Sequence, residues 1–398
     1  LKLVAVAVVA QAVWGMARVS DFRFDPRKWL LRVLSPLDGP LALIVLSIIG
    51  FSAGVMVSAS PERLDTLALN IVVAMVVMWV AASIPPQRMM TIALPLYVLG
   101  VVLLIGVALF GDVSKGARRW LNIGVARIQP SELMKIAMPL MLAWYFQSRE
   151  GMLRVRDFFI AAALLLVPVG LIAKQPDLGT AILVAAAGFY VLFFAGLTWR
   201  LILPVAVVGI VAIASIVAMG DTICKPDVEW PGLREYQKHR VCTLLDPTSD
   251  PLGKGFHIIQ STIAIGSGGV IGKGWGNGTQ THLDFLPERH TDFIFAVLTE
   301  EFGLAGAAVL VVLYILLIFR GLFIAAGAPT LFSRLLAGAL TLIFFTYAFV
   351  NMGMVSGILP VVGVPLPFVS YGGTALVTLC LGIGMLMSIQ RHRRRVGT

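Results

Sequence analysis

Ten long apolar runs constrain what this chain can fold into more than any other feature of its sequence. Most of them approach the length of about 20 residues that a helix needs to cross a bilayer. Only helices and closed barrels satisfy their backbone hydrogen bonds in lipid, and these runs lack the alternation of barrel strands. The chain is therefore predicted to be an all-α polytopic membrane protein. The runs lie at about 40–59, 66–84, 90–110, 132–147, 158–173, 179–197, 200–219, 293–319, 335–358 and 372–390.

Composition and charge support a membrane protein. Charged residues make up 13% of the 398 residues, whereas a soluble domain carries about 25%. The net charge of +10 indicates orientation and contact with membrane lipids, and no nucleic-acid partner is expected. If the residues before the first run are cytoplasmic, the short cytoplasmic segments hold far more Lys and Arg than the short outer loops. Both termini are therefore predicted to face the cytoplasm.

The expected domain organisation is an extension followed by one transmembrane domain. Residues 1–39 form a cytoplasmic N-terminal extension, and residues 40–398 form the transmembrane domain, ending in a basic tail at 391–398. Residues 3–17 are apolar but short for a span. An interfacial helix, a disordered extension and an additional span all remain open for them, and the first two are favoured.

One long polar segment, 220–291, is predicted to be an ordered loop on the outer face. Its amphipathic stretch Ile258–Ile265 predicts a short helix against the membrane surface, and glycines are dense from Gly253 to Gly278. Cys224 and Cys242 both lie in this loop, and the sequence leaves open whether they form a disulfide. The histidines show no metal-ligand spacing.

Charges inside or beside apolar runs are costly and usually functional. Glu132 and Lys135 lie three residues apart on one face of the fourth span, either as a self-neutralising pair or as a cavity lining. Further charges on the predicted outer face would suit a phosphorylated ligand, or lipid headgroups without specificity. They are Lys115, Arg118 and Arg119 beside Trp120, and Lys174 with Asp177.

The segment FLPERHTDFIF places four charged or titratable side chains together before the eighth span. Asp292 follows Glu288, Arg289 and His290 and lies near the start of that helix. A plain alternative is that an acid at a helix N-terminus stabilises the helix by about 0.3–1 kcal/mol. Under that alternative Thr291 would be the N-cap. The pair Glu300–Glu301 inside the span requires a paired or aqueous environment.

Four motifs in order, ARRWLNIGVARIQPSELMK, KQPDLGTA, FLPERHTDFIFAVLTEE and LPFVSYGG, resemble the SEDS family of bacterial cell-wall synthesis. The stretch NMGMVSGILPVVGVPLPFVSYGG is more similar to the rod-shape-determining branch than to the cell-division branch. The resemblance covers about residue 40 to the C-terminus. It implies ten transmembrane helices in the bacterial cytoplasmic (inner) membrane, with a large loop between the seventh and eighth helices.

The resemblance also implies a function. Family members are peptidoglycan glycosyltransferases that polymerise lipid II during cell elongation, with a class B penicillin-binding protein and other elongation-complex membrane proteins as partners. The essential acid of the family corresponds to Asp292, its outer-loop tryptophan to Trp120, and its fourth-helix pair to Glu132 and Lys135. Rival interpretations are a flippase for the lipid-linked precursor and a scaffold for the partner.

The chemistry of such a transfer fits these residues. An α-linked donor and a β-linked product need a single inverting displacement, so a carboxylate base on the acceptor hydroxyl suffices. Asp292 is predicted to be that base, with Glu288, Arg289 and His290 as neighbouring contacts. The departing pyrophosphate needs positive charge. The candidates are Lys115, Arg118, Arg119, Lys135, Lys174, Arg240 and Lys254, and the sequence leaves open whether a divalent cation such as Mg²⁺ or Mn²⁺ takes part. Ser370 and Tyr371-Gly372-Gly373 are expected mainly to pack the tenth span.

Overall fold

The computed structural model describes residues 34–114, 117–122, 127–225, 228, 230, 235–250, 253–283, 285–286 and 288–396. Each predicted apolar run coincides with one helix. These ten spans are α1 (Gly39–Ala59), α2 (Leu64–Ser83), α3 (Pro86–Phe110), α4 (Pro130–Ser148), α5 (Val155–Lys174), α6 (Leu178–Phe194), α7 (Trp199–Ala218), α12 (Ile294–Ala326), α13 (Leu331–Val355) and α14 (Gly373–Val396). The all-α polytopic fold is therefore confirmed. The apolar stretch 3–17 lies outside the described residues.

The connections hold the remaining elements. Between α3 and α4 lies a small antiparallel sheet of β1 (Asp112–Ser114), β2 (Ala117–Asn122) and β3 (Arg127–Ile128), which the sequence did not predict. The long segment after α7 holds α8 (Gly220–Ile223), α9 (Glu235–Leu245), α10 (Lys254–Gly268) and α11 (Thr279–His282). We call the side of the molecule that carries this segment the loop face, and the opposite side the tail face.

Length and apolar composition explain why the spans form. Among the described residues, eight helices are long and apolar enough to cross a membrane, and the shorter α6 is equally apolar. α4 is less hydrophobic because it carries Glu132 and Lys135. Helix starts follow local chemistry, since Asp38 and Asp177 accept a backbone N–H at the starts of α1 and α6.

The last span closes the fold against the second span. α14 packs along α2 so tightly that a Cβ on Gly384 would lie 2.3 Å from the carbonyl oxygen of Met78. The Ser388 hydroxyl donates to the carbonyl of Ile84, at the end of α2. Ser52 of α1 donates to the carbonyl of Val369, in the segment before α14 (2.9 Å). α7 differs from the other spans, because none of its residues is buried by the described chain.

The eighth span is broken near the loop face. Gly303 has φ 63° and ψ −161° inside α12, which interrupts the helical hydrogen bonds there. The segment Gly268–Gly278, which we call the glycine loop, fills the break. The N–H groups of Lys273 and Gly274 donate to the carbonyls of Glu300 and Glu301, at 3.0 Å each. In return, the N–H groups of Leu304 and Ala305 donate to the carbonyls of Gly269 (2.9 Å) and Val270 (3.0 Å).

A buried ion pair reinforces this junction. The ammonium group of Lys273 lies 2.7 Å from the fully buried carboxylate of Glu300. Glu300 also accepts hydrogen bonds from the hydroxyl and backbone groups of Thr279 and Gln280 on α11. Glu301 accepts from the hydroxyl of Ser58 on α1. Glu300 is therefore paired, which is one of the two environments that the sequence required, and Glu301 accepts a hydrogen bond from Ser58.

Cys224 and Cys242 form a disulfide that ties the end of α7 to α9. This decides the question that the sequence left open. Lys238 on α9 adds two hydrogen bonds from its ammonium group to the carbonyls of Lys225 and Val228. The predicted amphipathic helix at 258–265 is confirmed as part of α10, which packs on α12 and α13.

Replacing Gly272 with alanine is expected to destabilise the protein by about 1–3 kcal/mol more than replacing Gly269. Both glycines have positive φ, so both variants carry the same kind of backbone strain. A Cβ at Gly272 would lie 2.1 Å from the carbonyl oxygen of Glu301, whereas a Cβ at Gly269 meets open space. Thermal unfolding of both variants in detergent measures the difference. Equal losses would contradict the close approach of the glycine loop to α12.

Reduction of the Cys224–Cys242 disulfide is expected to lower the thermal midpoint more than it lowers activity at low temperature. On the chain-entropy model a loop of this size contributes about 3 kcal/mol. The Cys224→Ser/Cys242→Ser variant is the control, because a reductant should leave its midpoint unchanged. Parallel loss of midpoint and low-temperature activity on reduction would contradict a purely stabilising role.

Candidate functional site

Asp292 lies in the turn that leads into α12. The carbonyl of Glu288 accepts the N–H groups of Thr291 (2.9 Å) and Phe293 (3.4 Å), and Glu288 itself has φ 58°. The hydroxyl of Thr291 donates to this same carbonyl at 3.2 Å. Phe293 is the N-cap, so the alternative that assigned Thr291 as N-cap is wrong. Asp292 is half-buried just outside the first helical residue.

Three hydrogen bonds hold the backbone of this turn in place. The amide nitrogen of Asn351 on α13 donates to the carbonyl of Asp292 (2.9 Å) and to that of Val364 (2.7 Å). The hydroxyl of Ser370 donates to the carbonyl of Thr291 (2.5 Å). The N–H of Tyr371 donates to the carbonyl of His290 (2.8 Å). The SYGG segment, expected mainly to pack its span, therefore positions the Asp292 turn.

The carboxylate of Asp292 lies against the segment between α13 and α14. A Cβ on Gly363, which has φ 73°, would lie 3.3 Å from Oδ2 of Asp292. The start of α6 packs on the same segment, since a Cβ on Gly179 would lie 2.8 Å from the carbonyl oxygen of Val362. A Cβ at position 179 would clash with this backbone carbonyl, and the positive φ at position 363 favours glycine there. The starts of α6 and α12 therefore meet at residues 362–364.

Asp177 is built into the start of α6. Its carboxylate accepts the N–H of Thr180 (3.3 Å) and the side-chain amide of Gln129 (3.1 Å), the residue before α4. These bonds connect the start of α4 to the start of α6. Asp177 is at the start of α6, and this helix start packs on the same 362–364 segment that Asp292 contacts.

Glu132 and Lys135 form the predicted pair on one face of α4. The ammonium nitrogen of Lys135 is 2.6 Å from Oε1 of Glu132 and 5.1 Å from the ring centroid of Tyr347 on α13. Tyr347 precedes Asn351 by four residues, about 6 Å along the helix axis. One strip of α13 therefore contacts Lys135 at one end and the Asp292 turn at the other.

Two acceptor atoms of this cluster are buried and receive no hydrogen bond from the described residues. They are Oε2 of Glu132 and Oδ1 of Asn351. Buried polar atoms are nearly always hydrogen-bonded, so such atoms indicate a place for water or a ligand. A pocket near the Glu132–Lys135 pair is lined by Lys135, Tyr347 and Thr378 among apolar side chains and has a volume near 20 Å³, about the size of one water molecule.

Only some of the basic residues predicted on the outer face lie among the described residues. One guanidinium nitrogen of Arg119 donates to the carbonyl of Pro176 (2.7 Å), which ties β2 to the turn between α5 and α6. Trp120 lies opposite Asp112 in the β1–β2 pair, and Lys174 is exposed at the end of α5. Lys115 and the side chains of Arg118 and Lys254 lie outside the described residues.

The other predicted contacts surround the turn without joining the α13 strip. Arg289 donates to the carbonyls of Ala59 (2.9 Å) and Thr281 (2.8 Å), so its guanidinium joins the end of α1 to α11. Glu288 is exposed. Arg240 lies on α9, which packs on α10.

His290 contacts the tyrosine of the SYGG segment. Its ring centroid is 6.0 Å from that of Tyr371, and the guanidinium of Arg63 lies 5.4 Å from the centroid of the tyrosine ring. Burial lowers the pKa of His290, and the nearby charges of Arg63 and Arg289 lower it further. The imidazole is therefore neutral at pH 7.

Asn351, Tyr347 and Gly363 were missed by the sequence reasoning. A signal existed for Asn351, because it is an amide side chain inside an apolar span. For a metal, the described residues contain no group of three or more His, Cys, Asp or Glu side chains arranged to hold an ion.

Comparisons with known proteins agree with this architecture. The profile of a family described as Cell cycle protein, which covers FtsW, RodA and SpoVE, matches residues 38–395. The chain is 53% identical over 362 residues to peptidoglycan glycosyltransferase MrdB of Escherichia coli (strain K12), covering 90% of this chain and 94% of that protein. It is 36% identical over 295 residues to stage V sporulation protein E of Bacillus subtilis (strain 168), with coverages of 74% and 76%.

Solved structures show the same fold. A structure described as structural coordination of polymerization and crosslinking by a peptidoglycan synthase complex matches with a TM-score of 0.73 at 35% identity, covering 89% of this chain and 98% of that one. The rod shape determining protein RodA of Thermus thermophilus matches with a TM-score of 0.66 at 29% identity, covering 89% and 97%. The resemblance inferred from the four motifs is therefore confirmed, and the chain belongs to the FtsW/RodA/SpoVE family of multi-pass membrane proteins.

Proposed function

We propose that this chain is a peptidoglycan glycosyltransferase that polymerises lipid II for cell elongation and rod shape, with Asp292 as its catalytic base. The observation that carries the proposal is the fixed geometry around Asp292. Its backbone carbonyl is held by Asn351, and its carboxylate lies against Gly363, whose positive φ favours glycine. Precise placement of a base is what a transfer reaction requires.

The reaction needs one displacement. The acceptor hydroxyl attacks the anomeric carbon of the donor from the face opposite the pyrophosphate, while the Asp292 carboxylate takes the hydroxyl proton. The β-1,4 bond forms as the bond to the polyprenyl pyrophosphate breaks, and the electron pair leaves with the pyrophosphate oxygen. No covalent enzyme intermediate is required, because one inversion accounts for the product.

Positive charge near the leaving group lowers the barrier. Lys135 is already buried against Glu132, so its charge orders α4 and would be available to phosphate only if the pair rearranged. Lys174 is exposed, and Arg119 lies at the adjoining turn of the loop face. We assign Lys174 and Arg119, with the remaining basic residues of the β1–β2 connection, to the pyrophosphate.

Other contacts are proposed for the substrate amides and hydroxyls. Oε2 of Glu132 and Oδ1 of Asn351 are acceptors within the buried cluster. Hydrogen-bond donors of the substrate sugar, or a water molecule, would satisfy these two acceptor oxygens. Glu288 and His290 lie in the same turn, Asp177 lies at the adjoining start of α6, and Trp120 lies on β2 beside Arg119; all four are assigned to the rims of this site.

The partner and orientation follow from the same proposal. A class B penicillin-binding protein would crosslink the strands, and the similar solved structure is of a peptidoglycan synthase complex. Both termini are proposed to face the cytoplasm, with residues 1–39 as a cytoplasmic extension. The loop face is then outside the inner membrane, which is where lipid II is consumed and where disulfides persist.

Asp292→Asn is expected to abolish polymerisation of lipid II while leaving the fold intact. The amide keeps the shape of the side chain but cannot accept the hydroxyl proton. The assay uses purified protein with its penicillin-binding partner, with the partner's transpeptidase blocked and glycan polymer measured on gels. Asp65→Asn, an exposed acid on the loop face, is the matched control and should keep normal activity.

The outcomes separate the rival functions. Both variants must first be shown to form the partner complex. Polymer from the Asp292→Asn complex would retain the enzyme and remove the base assignment. No polymer from the folded wild-type complex would favour a lipid flippase, which a translocation assay then tests.

Asn351→Ala is expected to lower kcat on the order of 10²-fold with little change in KM, because the Asp292 turn loses its amide donor. Thr341→Val on the same helix is the control, since the buried Thr341 hydroxyl bonds only within α13. Activity is normalised to the folded fraction in each preparation. A kcat that matches the control after this correction would show that Asn351 only packs the bundle.

A further inference from the structure

The glycine loop presents apolar side chains where a polar outer loop would present charge. Val270, Ile271 and Trp275 expose 68%, 83% and 57% of their surfaces to the surroundings of the chain. Apolar side chains exposed together on one short loop indicate a surface that contacts a partner or a membrane. Whether lipid or water surrounds these side chains depends on the depth of the loop in the membrane.

The start of α1, on the tail face, gives a reference for depth in the membrane. Asp38 at the start of α1 forms a salt bridge with Arg320 of α12, at 2.6 Å. Charged groups of this kind lie at the boundary of the hydrocarbon core, where the cost of burying them is smallest. From Asp38 the helix rises about 1.5 Å per residue, so Gly54 lies about 24 Å from this boundary.

The glycine loop reaches down to Gly54. The indole N–H of Trp275 donates to the carbonyl of Gly54 at 2.9 Å. The hydrocarbon core is about 30 Å thick, so Trp275 lies about 6 Å inside the opposite boundary, and tilt of α1 would place it deeper. The loop therefore enters the core beside α1 and α12 instead of lying above it.

The backbone of the loop tolerates this position. Irregular backbone exists at membrane depth only where its polar groups are satisfied by protein. Gly269, Val270, Lys273 and Gly274 exchange hydrogen bonds with the break in α12. The ammonium of Lys273 is neutralised by Glu300. The polar groups of the loop thus point to protein, and its apolar side chains point away from it.

We infer that the glycine loop is a re-entrant lipid anchor, in which Val270, Ile271 and Trp275 contact the phospholipid acyl chains of the loop-facing leaflet. Trp275 occupies the level at which tryptophan is enriched in membrane proteins, just below the headgroups. The anchor holds the loop against the break in α12, the helix that begins at the Asp292 turn. A protein partner at this surface is the competing occupant.

The experiment places a nitroxide at Ile271 through Ile271→Cys in the full chain, purified alone and reconstituted in phospholipid nanodiscs. Power-saturation electron paramagnetic resonance compares collision with oxygen, which concentrates in lipid, and with a water-soluble nickel chelate. Leu203→Cys on the exposed face of α7 is the lipid reference, and Thr248→Cys after α9 is the water reference. Unmutated protein corrects for labelling of Cys380, which is buried.

The expected result is an oxygen-to-nickel ratio at Ile271 that is shifted from the Thr248 value towards the Leu203 value. A ratio equal to that at Thr248 would overturn the inference, because the loop would then lie in water. A label that collides with neither reagent would also overturn it, since protein would cover the site. Ile271→Cys is conservative in size, and a circular dichroism melt confirms that each labelled variant is folded.

Discussion

A transmembrane helix that is interrupted must find new partners for its backbone groups, because lipid supplies none. In this protein the interruption is at Gly303, and the partners come from a loop that follows α10 in the chain. Gly268 and Gly272 of that loop are required because a Cβ at either position would clash with the backbone of α12. The position of α12, and with it the turn that carries Asp292, therefore depends on a segment in which the sequence showed only a high density of glycines.

The ninth span connects the charged groups of the bundle. Tyr347 and Asn351 are one turn apart, and they contact Lys135 of α4 and the backbone of Asp292, respectively. This arrangement connects a charged pair in the first two turns of α4 to a carboxylate just before the start of α12. It also explains why glycines at 179 and 363 recur at the junction, since two helix starts and one connecting segment converge there.

The sequence predicted elements and contacts formed by residues close together in the chain. It missed mostly contacts between residues far apart in the chain. The ten spans follow from length and hydropathy, and the Glu132–Lys135 pair follows from a spacing of three residues on a helix. The role of Asp292 was predicted from the motif FLPERHTDFIF. The bonds of Asn351 and Ser370 to the Asp292 turn join residues 59 and 79 positions apart, and no periodicity encodes such distances. The Lys273–Glu300 pair likewise depends on how the glycine loop folds back on α12. The disulfide remained open because spacing alone does not decide whether two cysteines meet.

The packing of α14 along α2 has a consequence for how the protein is made. Synthesis proceeds from the N-terminus, and domains generally fold in that order. Here Ile84 at the end of α2 receives its hydrogen bond from Ser388, and Ser52 of α1 bonds to Val369. The first two spans enter the membrane roughly 300 residues before their neighbour exists. Until the last span is made, α2 lacks the helix it packs on, so loss of the C-terminal span would remove the partner of a helix made near the start of translation.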